Sequence, residues 1–400
     1  MLENVGAFST VPRDDLISRT DKLRNFLADT GISFGLIIQN VDRFYFTGTM
    51  QKGIVVIPVD GNPLVFIEKG IERAAAETPF DLIPVKSDRE IRNILLDRNI
   101  LAGKAGLELD VLPVAVFERF QRTIGFDEYA DISEQIKTVR MIKSEYELRQ
   151  LRRSGEMLSH VFARARNEIY EGRTELEIEA VLVAEGRKLG HQGFLRMRGL
   201  NQEMMTMTVQ AGFTGAVTTF LDAPITGVGV TPAIPQGSSF KHVERGIPIT
   251  IDYGGGYNGY ITDETRTFVV GELGHIFKKP YETVRAIIDD MMKFARPGVN
   301  CTDIFLRARE IAQKEGLADY FMGYGEGQVA FIGHGIGLEI NELPILTARH
   351  DRVLEQGMVF AFEPKFVLPD KGAVGIEIDC IVTHDGLERI TSDSTDIVNL

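Results

Sequence analysis

Apolar residues recur at helical spacing in RTDKLRNFLADTG (19–31), and Gly31 marks the stop. SFGLIIQN (33–40) is a short apolar run of the kind that forms a buried strand. GIVVIPVDGNPLVFIEKG (53–70) holds two β-rich runs joined by Asp60-Gly61-Asn62-Pro63, and Asp-Gly between such runs predicts a hairpin. EIRNILLDRN then reads as a helix and KAGLELD as a further strand. These elements make an α/β domain with a mixed sheet over residues 1–140, with no concentration of chemically active side chains.

The pattern changes at the junction. IKSEYELRQLRRSGEMLSHVFARARNEIY (142–170) is a long helical run broken at Gly172, and Thr174-Glu-Leu-Glu177 is a capping box for a second helix running to Gly190. The same order recurs: YETVRAIIDDMMKFARPG (281–298) is a helix stopped by Pro-Gly, and CTDIFLRAREIAQKEG (301–316) is a capped helix ended by Gly316. Each helix pair is followed by a β-rich stretch with a glycine turn between two acids, Asp252 and Asp263 in the first copy, Glu363 and Glu377 in the second. The reading is a second domain, 141–400, built from two helices plus a hairpin, twice.

Charge narrows the choice of partners. Acidic side chains number 57 against 44 basic ones, a net charge of −13. That disfavours nucleic acid, whose phosphates need a basic surface, and anionic membranes. No apolar run approaches the length of a membrane span, and MLENVGAFSTVPRDDL lacks the basic-then-apolar order of a secretion signal. Cys301 and Cys380 form no zinc-ligand spacing and read as reduced thiols, so a cytoplasmic enzyme is expected.

The glycine-rich turn admits three readings. Gly254-Gly255-Gly256-Tyr257-Asn258-Gly259 satisfies GxGxxG, and Glu272 lies near the place of a ribose-binding acid. A dinucleotide fingerprint must open a helix, whereas YITDETRTFVVG is a strand pattern, so the nucleotide reading fails on context. A plain hairpin with solvated acids is the second reading. The third is half of a metal site. PITIDYG is apolar up to Asp252, and GMVFAF leads in the same way to Glu363. Four carboxylates drawn into buried surroundings would be protonated unless cations neutralise them. Two divalent ions would balance four such charges. His334, between Gly333 and Gly335 in FIGHGIGLEINELP (331–344), offers a nitrogen ligand. The histidines at 160, 191, 275, 350 and 384 have no such setting, and His242 is an outside candidate.

These residues resemble the pita-bread metallopeptidases, the group of Xaa-Pro aminopeptidases, prolidases, methionine aminopeptidases and creatinase. NVDRFYFTG (40–48) and VRMIKSEYELRQLR (139–152) are similar to the N-terminal domain and junction of the prolidase and creatinase branch. IDYGGGYNGYITDETRTF, GHGIGLEINELP, GMVFAFEP and VGIEID follow in family order. The resemblance implies a creatinase-like α/β domain followed by a pseudo-twofold catalytic domain. It implies metal ligands Asp252, Asp263, His334, Glu363 and Glu377, with Asp263 and Glu377 bridging two ions about 3.5–4 Å apart. An oxygen-rich ligand set suits manganese, with cobalt, zinc or iron as alternatives. Glu363 is implied as the proton shuttle to the leaving nitrogen, and a homodimer is typical of the branch. The expected activity is removal of the N-terminal residue from short Xaa-Pro peptides.

The chain also departs from that pattern. Asn341 stands where the branch commonly has a substrate-holding histidine, and asparagine can donate a hydrogen bond but carries no charge. Gly375 stands where an arginine is usual, and no second pocket histidine precedes Asp252 at the expected distance. An intact metal core with an altered substrate shell leaves a second expectation, a metal-dependent C–N hydrolase or lyase acting on a small non-peptide substrate. A third, a metal-free binding protein that inherited the fold, conflicts with the complete ligand set.

Overall fold

The computed structural model describes residues 9–392 and 394–400, so the start of the N-terminal stretch lies outside the described residues. The chain forms two compact units. The first runs to Arg140 and also takes in Arg198–Gln202; the second comprises Met141–Met197 and Glu203–Leu400.

In the first unit, α1 (Arg13–Asp29) precedes β1 (Phe34–Ile37), α2 (Asn40–Thr47), β2 (Gly53–Pro58) and β3 (Leu64–Ile67). Then come α3 (Ile71–Glu77), β4 (Leu82–Pro84), α4 (Asp88–Asp97), β5 (Ala105–Leu107), α5 (Val114–Ile124), β6 (Tyr129–Asp131) and α6 (Ser133–Met141). The sheet has the order β4-β3-β2-β1-β5-β6. It is mixed, as its sequence predicts: β1-β2-β3 are antiparallel, with the expected hairpin at Asp60-Gly61, while β4, β5 and β6 join in parallel. Phe34, Leu36, Val56 and Phe66 pack with Ile91, Leu95, Phe120 and Ile124 of the two covering helices. Arg198 belongs to this unit through ion pairs of 2.7 Å to Asp42 and Asp110.

The second unit opens with α7 (Glu145–Ala165) and α8 (Glu175–Lys188), followed by β7 (Met207–Ala211), β8 (Ile249–Gly254) and β9 (Asp263–Val269). The predicted capping box at Thr174 and Glu177 is present, and Ser144 with Glu147 forms another at the start of α7. The second copy is α9 (His275–Phe294), α10 (Cys301–Lys314), β10 (Phe331–Gly335), β11 (Glu342–Thr347) and β12 (Val359–Phe362). It continues through β13 (Lys365–Leu368), β14 (Gly372–Gly375), β15 (Ile378–Val382) and β16 (Leu387–Arg389), and β17 (Val398–Asn399) ends the chain. Helix α9 begins at His275, upstream of the residue 281 predicted from sequence. Pro280 removes one N–H from the helical ladder without ending it.

Each helix pair backs one sheet. The first lies against β7-β8-β9 through Leu158, Phe162, Leu182, Ile251 and Phe268. The second lies against β10, β12 and β15 through Val284, Ile288, Ile304, Phe360 and Cys380. Strands β8 and β9 form the predicted hairpin, with Asp252 opposite Thr265 and Gly254 opposite Asp263. No helix follows the glycine turn, so the dinucleotide reading fails on structure as well. Strands β13 and β14 form the second hairpin, with Lys365 opposite Gly375.

Glu175, at the first turn of α8, holds this frame together from inside. Its carboxylate is fully buried and accepts hydrogen bonds from the Ala211 amide (2.6 Å) and the Thr214 hydroxyl, and from the amide (2.8 Å) and hydroxyl (2.7 Å) of Ser239. Burial raises its pKa while these donors pull it back. Ala211 ends β7, which pairs with β8 and places Thr208 opposite Asp252. Glu175→Ala strands several donors at once and is expected to cost about 3 kcal/mol or more, read as a lower urea midpoint with an unchanged m-value.

Candidate metal centre

The two hairpins and β10 bring five side chains of the second unit together. Asp252 comes from β8, Asp263 from the first position of β9, and His334 from β10. Glu363 follows β12 directly, and Glu377 lies between β14 and β15. His334 sits where the pairing of β10 with β11 shifts register, an irregularity that re-aims a side chain. Its glycine neighbours serve backbone packing. A Cβ on Gly333 would lie 2.2 Å from the Ala361 carbonyl oxygen, and one on Gly335 would lie 2.0 Å from that of Leu343.

Asp263, Glu363 and Glu377 are all buried, and Asp252 is partly so. Nε2 of His334 lies 3.7 Å from Oε1 of Glu363 and 3.9 Å from Oε1 of Glu377. Ligand atoms from Asp263, His334 and Glu377 fall within 4.8 Å of one another. Oδ1 of Asp263 is buried and meets no hydrogen-bond donor among the described residues. Burial pushes the Asp263 carboxyl well above the ordinary range, and Glu377, Asp252 and Asp379 beside it push the same way. Burial also raises Asp252, against the opposing pull of Lys365. An orphaned oxygen facing an imidazole and further carboxylates fits a divalent cation.

Several residues of the centre are not singled out by sequence reasoning. Lys365 projects into it from β13 and is 2% exposed. Its ammonium lies 2.8 Å from Oε2 of Glu363, 2.8 Å from Oε2 of Glu377 and 3.3 Å from Oδ2 of Asp252. Burial opposes the lysine charge, but these three carboxylates outweigh it and hold the pKa well above the usual value. Asp379 is fully buried and accepts the Asp263 amide at 2.7 Å, fixing the start of β9. The Thr265 hydroxyl donates to Oε2 of Glu377 at 2.8 Å, and Arg266 donates to the Glu377 carbonyl at 2.7 Å. A signal for two of them exists in period-2 alternation: Lys365 stands two residues from Glu363 and Asp379 two from Glu377. Gly375 has a packing reason as well, since a Cβ there would lie 2.4 Å from Cγ of Lys365.

The remaining candidates lie in other settings. Asn341 is exposed, in the turn leading into β11. His242 is exposed and its ring bonds the Gly172 carbonyl at 2.8 Å, so it braces the approach to α8. His191 is buried, bonds the Gly254 carbonyl at 2.9 Å and stacks on Tyr253. A cavity of about 680 Å³ lies in the same unit, lined in part by Thr218, Phe220, Phe331 and Ile345, and Ile345 pairs across the sheet with His334.

Paired hairpins closing on buried acids and one imidazole, each backed by two helices, define a metallopeptidase-type centre. Residues 149–384 match metallopeptidase family M24, and residues 19–142 match the creatinase/prolidase N-terminal domain. The first match spans more than half of the chain, and the chain belongs to metallopeptidase family M24. It is 29% identical to an Xaa-Pro dipeptidase of Pyrococcus furiosus, over 95% of this chain and 99% of that one. Among solved structures, an Xaa-Pro dipeptidase from Bacillus anthracis superposes with a TM-score of 0.83 at 26% identity, covering 96% of this chain and 100% of that one. The prolidase of Pyrococcus horikoshii gives 0.80 at 25% identity, covering 95% and 100%. The α/β N-terminal domain and pita-bread catalytic domain implied by the resemblance are the architecture the chain has.

Thr265 orients a ligand without contributing one. Thr265→Val keeps the shape and removes the hydroxyl, and is expected to weaken Mn²⁺ binding by about 10- to 100-fold. Calorimetric titration of metal-free protein measures this; a constant unchanged from wild type would remove Thr265 from the support of the centre.

Proposed function

We propose that the chain is a metal-dependent Xaa-Pro exopeptidase that removes the N-terminal residue from short peptides. The observation that carries this reading is the convergence of Asp263, Glu363, Glu377 and His334 on one buried point with an orphaned carboxylate oxygen. The names and full-length match of the Pyrococcus and Bacillus relatives supply the substrate class. A cavity of about 680 Å³ beside β10 and β11 is of a size that takes a short peptide.

The residues fit a divalent cation, with Asp263, His334, Glu363 and Glu377 as holding groups; the family pattern adds Asp252. Manganese is the proposed ion, on the chemistry of an oxygen-rich donor set. When bound, it supplies Lewis-acid polarisation of the scissile carbonyl and an acidified water. The protein's own groups do the rest. Glu363, through Oε1 on the His334 side, carries a proton to the leaving nitrogen. His334 holds its ring by a 3.3 Å contact from Nδ1 to the Gly335 carbonyl. Asp379 and Thr265 fix the ligands, and the amide of Asn341 is the proposed donor to the substrate carbonyl. A homodimer in the cytoplasm is part of the proposal. The dimer rests on the family resemblance alone, and the compartment accords with two buried cysteines that form no disulfide.

The departures at Asn341 and Gly375 support a second reading, a C–N hydrolase or lyase acting on a small non-peptide substrate with the same metal. A panel of Xaa-Pro dipeptides and tripeptides set against small amides separates the two. Mn²⁺-loaded protein is expected to release the first residue from the peptides, chelator to stop it, and Asp263→Ala to lower kcat/KM by roughly a thousandfold or more through loss of metal-dependent stabilisation. Turnover of amides with none of peptides would select the second reading.

A further inference from the structure

The carboxylate oxygens of the centre fall into two groups. Oε2 of Glu363, Oε2 of Glu377 and Oδ2 of Asp252 face the Lys365 ammonium at 2.8, 2.8 and 3.3 Å. Oε1 of Glu363 and Oε1 of Glu377 face Nε2 of His334 instead, and Oδ1 of Asp263 has no hydrogen-bond partner among the described residues. A pair of bridged ions would need both oxygens of Glu377, yet Oε2 is already held by Lys365 and by the Thr265 hydroxyl. The lysine is buried, and its stem fills the space that a side chain at position 375 would take.

We propose that the ammonium of Lys365 is a built-in cation standing in place of one of two metal ions, so that the centre holds a single divalent ion on Asp263, His334, Glu363 and Glu377. This rests on the metallopeptidase reading for the presence of a metal but not for the substrate. Asp252, a metal ligand by family pattern, is then a partner of Lys365. The charges agree with this arrangement: one divalent ion plus one ammonium leaves four carboxylates with a single net negative charge. Two ions plus the ammonium would leave a single net positive charge, so the choice between one ion and two rests on the oxygens that Lys365 already holds. A lone buried ammonium would leave three carboxylate charges uncompensated, at a high desolvation cost. Lys365 and Gly375 are one feature in physical terms, because the glycine makes the space through which the lysine reaches the acids.

Metal-free protein reloaded with Mn²⁺ tests this by elemental analysis and electron paramagnetic resonance, without any substrate. Wild type is expected to hold one Mn²⁺ per chain with the spectrum of an isolated ion. Lys365→Gly is expected to hold two, with the broadened spectrum of a coupled pair, and to gain more in Tm on adding Mn²⁺ than wild type does. Two ions or none in wild type would overturn the proposal, as would a folded Lys365→Gly that still binds one. If that variant does not fold, the wild-type count and spectrum decide alone. One ion per chain in a protein that cleaves no Xaa-Pro peptide would leave this inference standing and remove the peptidase reading.

Discussion

Four carboxylates held side by side in the protein interior repel one another and lose their hydration, and the second unit is organised around that constraint. Burial and mutual repulsion drive Asp263 and Asp252 toward the protonated state. Lys365, 2% exposed and within 3.3 Å of three of the four, relieves part of the strain from within the chain. The oxygens it leaves over point at one imidazole. Such an arrangement makes chemical sense when a second cation completes it.

The surrounding fold keeps this charged cluster from relaxing. The first hairpin lies within the four-stranded sheet, the second is a two-stranded sheet that continues the chain between β12 and β15, and a helix pair packs behind each half. Position is set further by contacts behind the acids: the Asp263 amide on Asp379, the Thr265 hydroxyl on Glu377, and Arg266 on the Glu377 carbonyl. Glu175 performs a similar service for β7 and hence for β8. A centre on strand ends supported in this way can hold its geometry to the tolerance that catalysis requires.

Membership of a metallopeptidase family constrains the reading of the centre without fixing its chemistry. The ligand types are those of a metal-dependent hydrolase, while Gly375 and Asn341 distinguish the substrate side from the pattern that the family resemblance implies. Gly375 is joined to Lys365 by geometry, since a Cβ at position 375 would lie 2.4 Å from Cγ of Lys365. Altered net charge in the centre bears on how strongly a substrate's carbonyl is polarised and on which leaving groups are served.

Much of this was legible in the amino-acid order. Periodicity of 2 and 3.6 identifies the mixed sheet, the repeated helix pairs and both hairpins, because those patterns reflect local backbone geometry. The failure of the dinucleotide fingerprint was legible too, since a strand pattern follows the turn. So were Asp252, Asp263, His334, Glu363 and Glu377 as candidates, with Asp252, His334 and Glu363 following apolar runs and Asp263 and Glu377 standing across a glycine turn from a partner acid. What the sequence left open is how those groups share their oxygens. Lys365 and Asp252 lie 113 positions apart, and Asp263 and Asp379 lie 116 apart, so no local pattern links them. Only the packing of the hairpins decided that a lysine two residues from a ligand turns inward rather than to solvent. That packing also made Gly375 the gap through which the lysine reaches the acids, because distances of about 3 Å between charged atoms are set by the whole fold and not by neighbours in the chain.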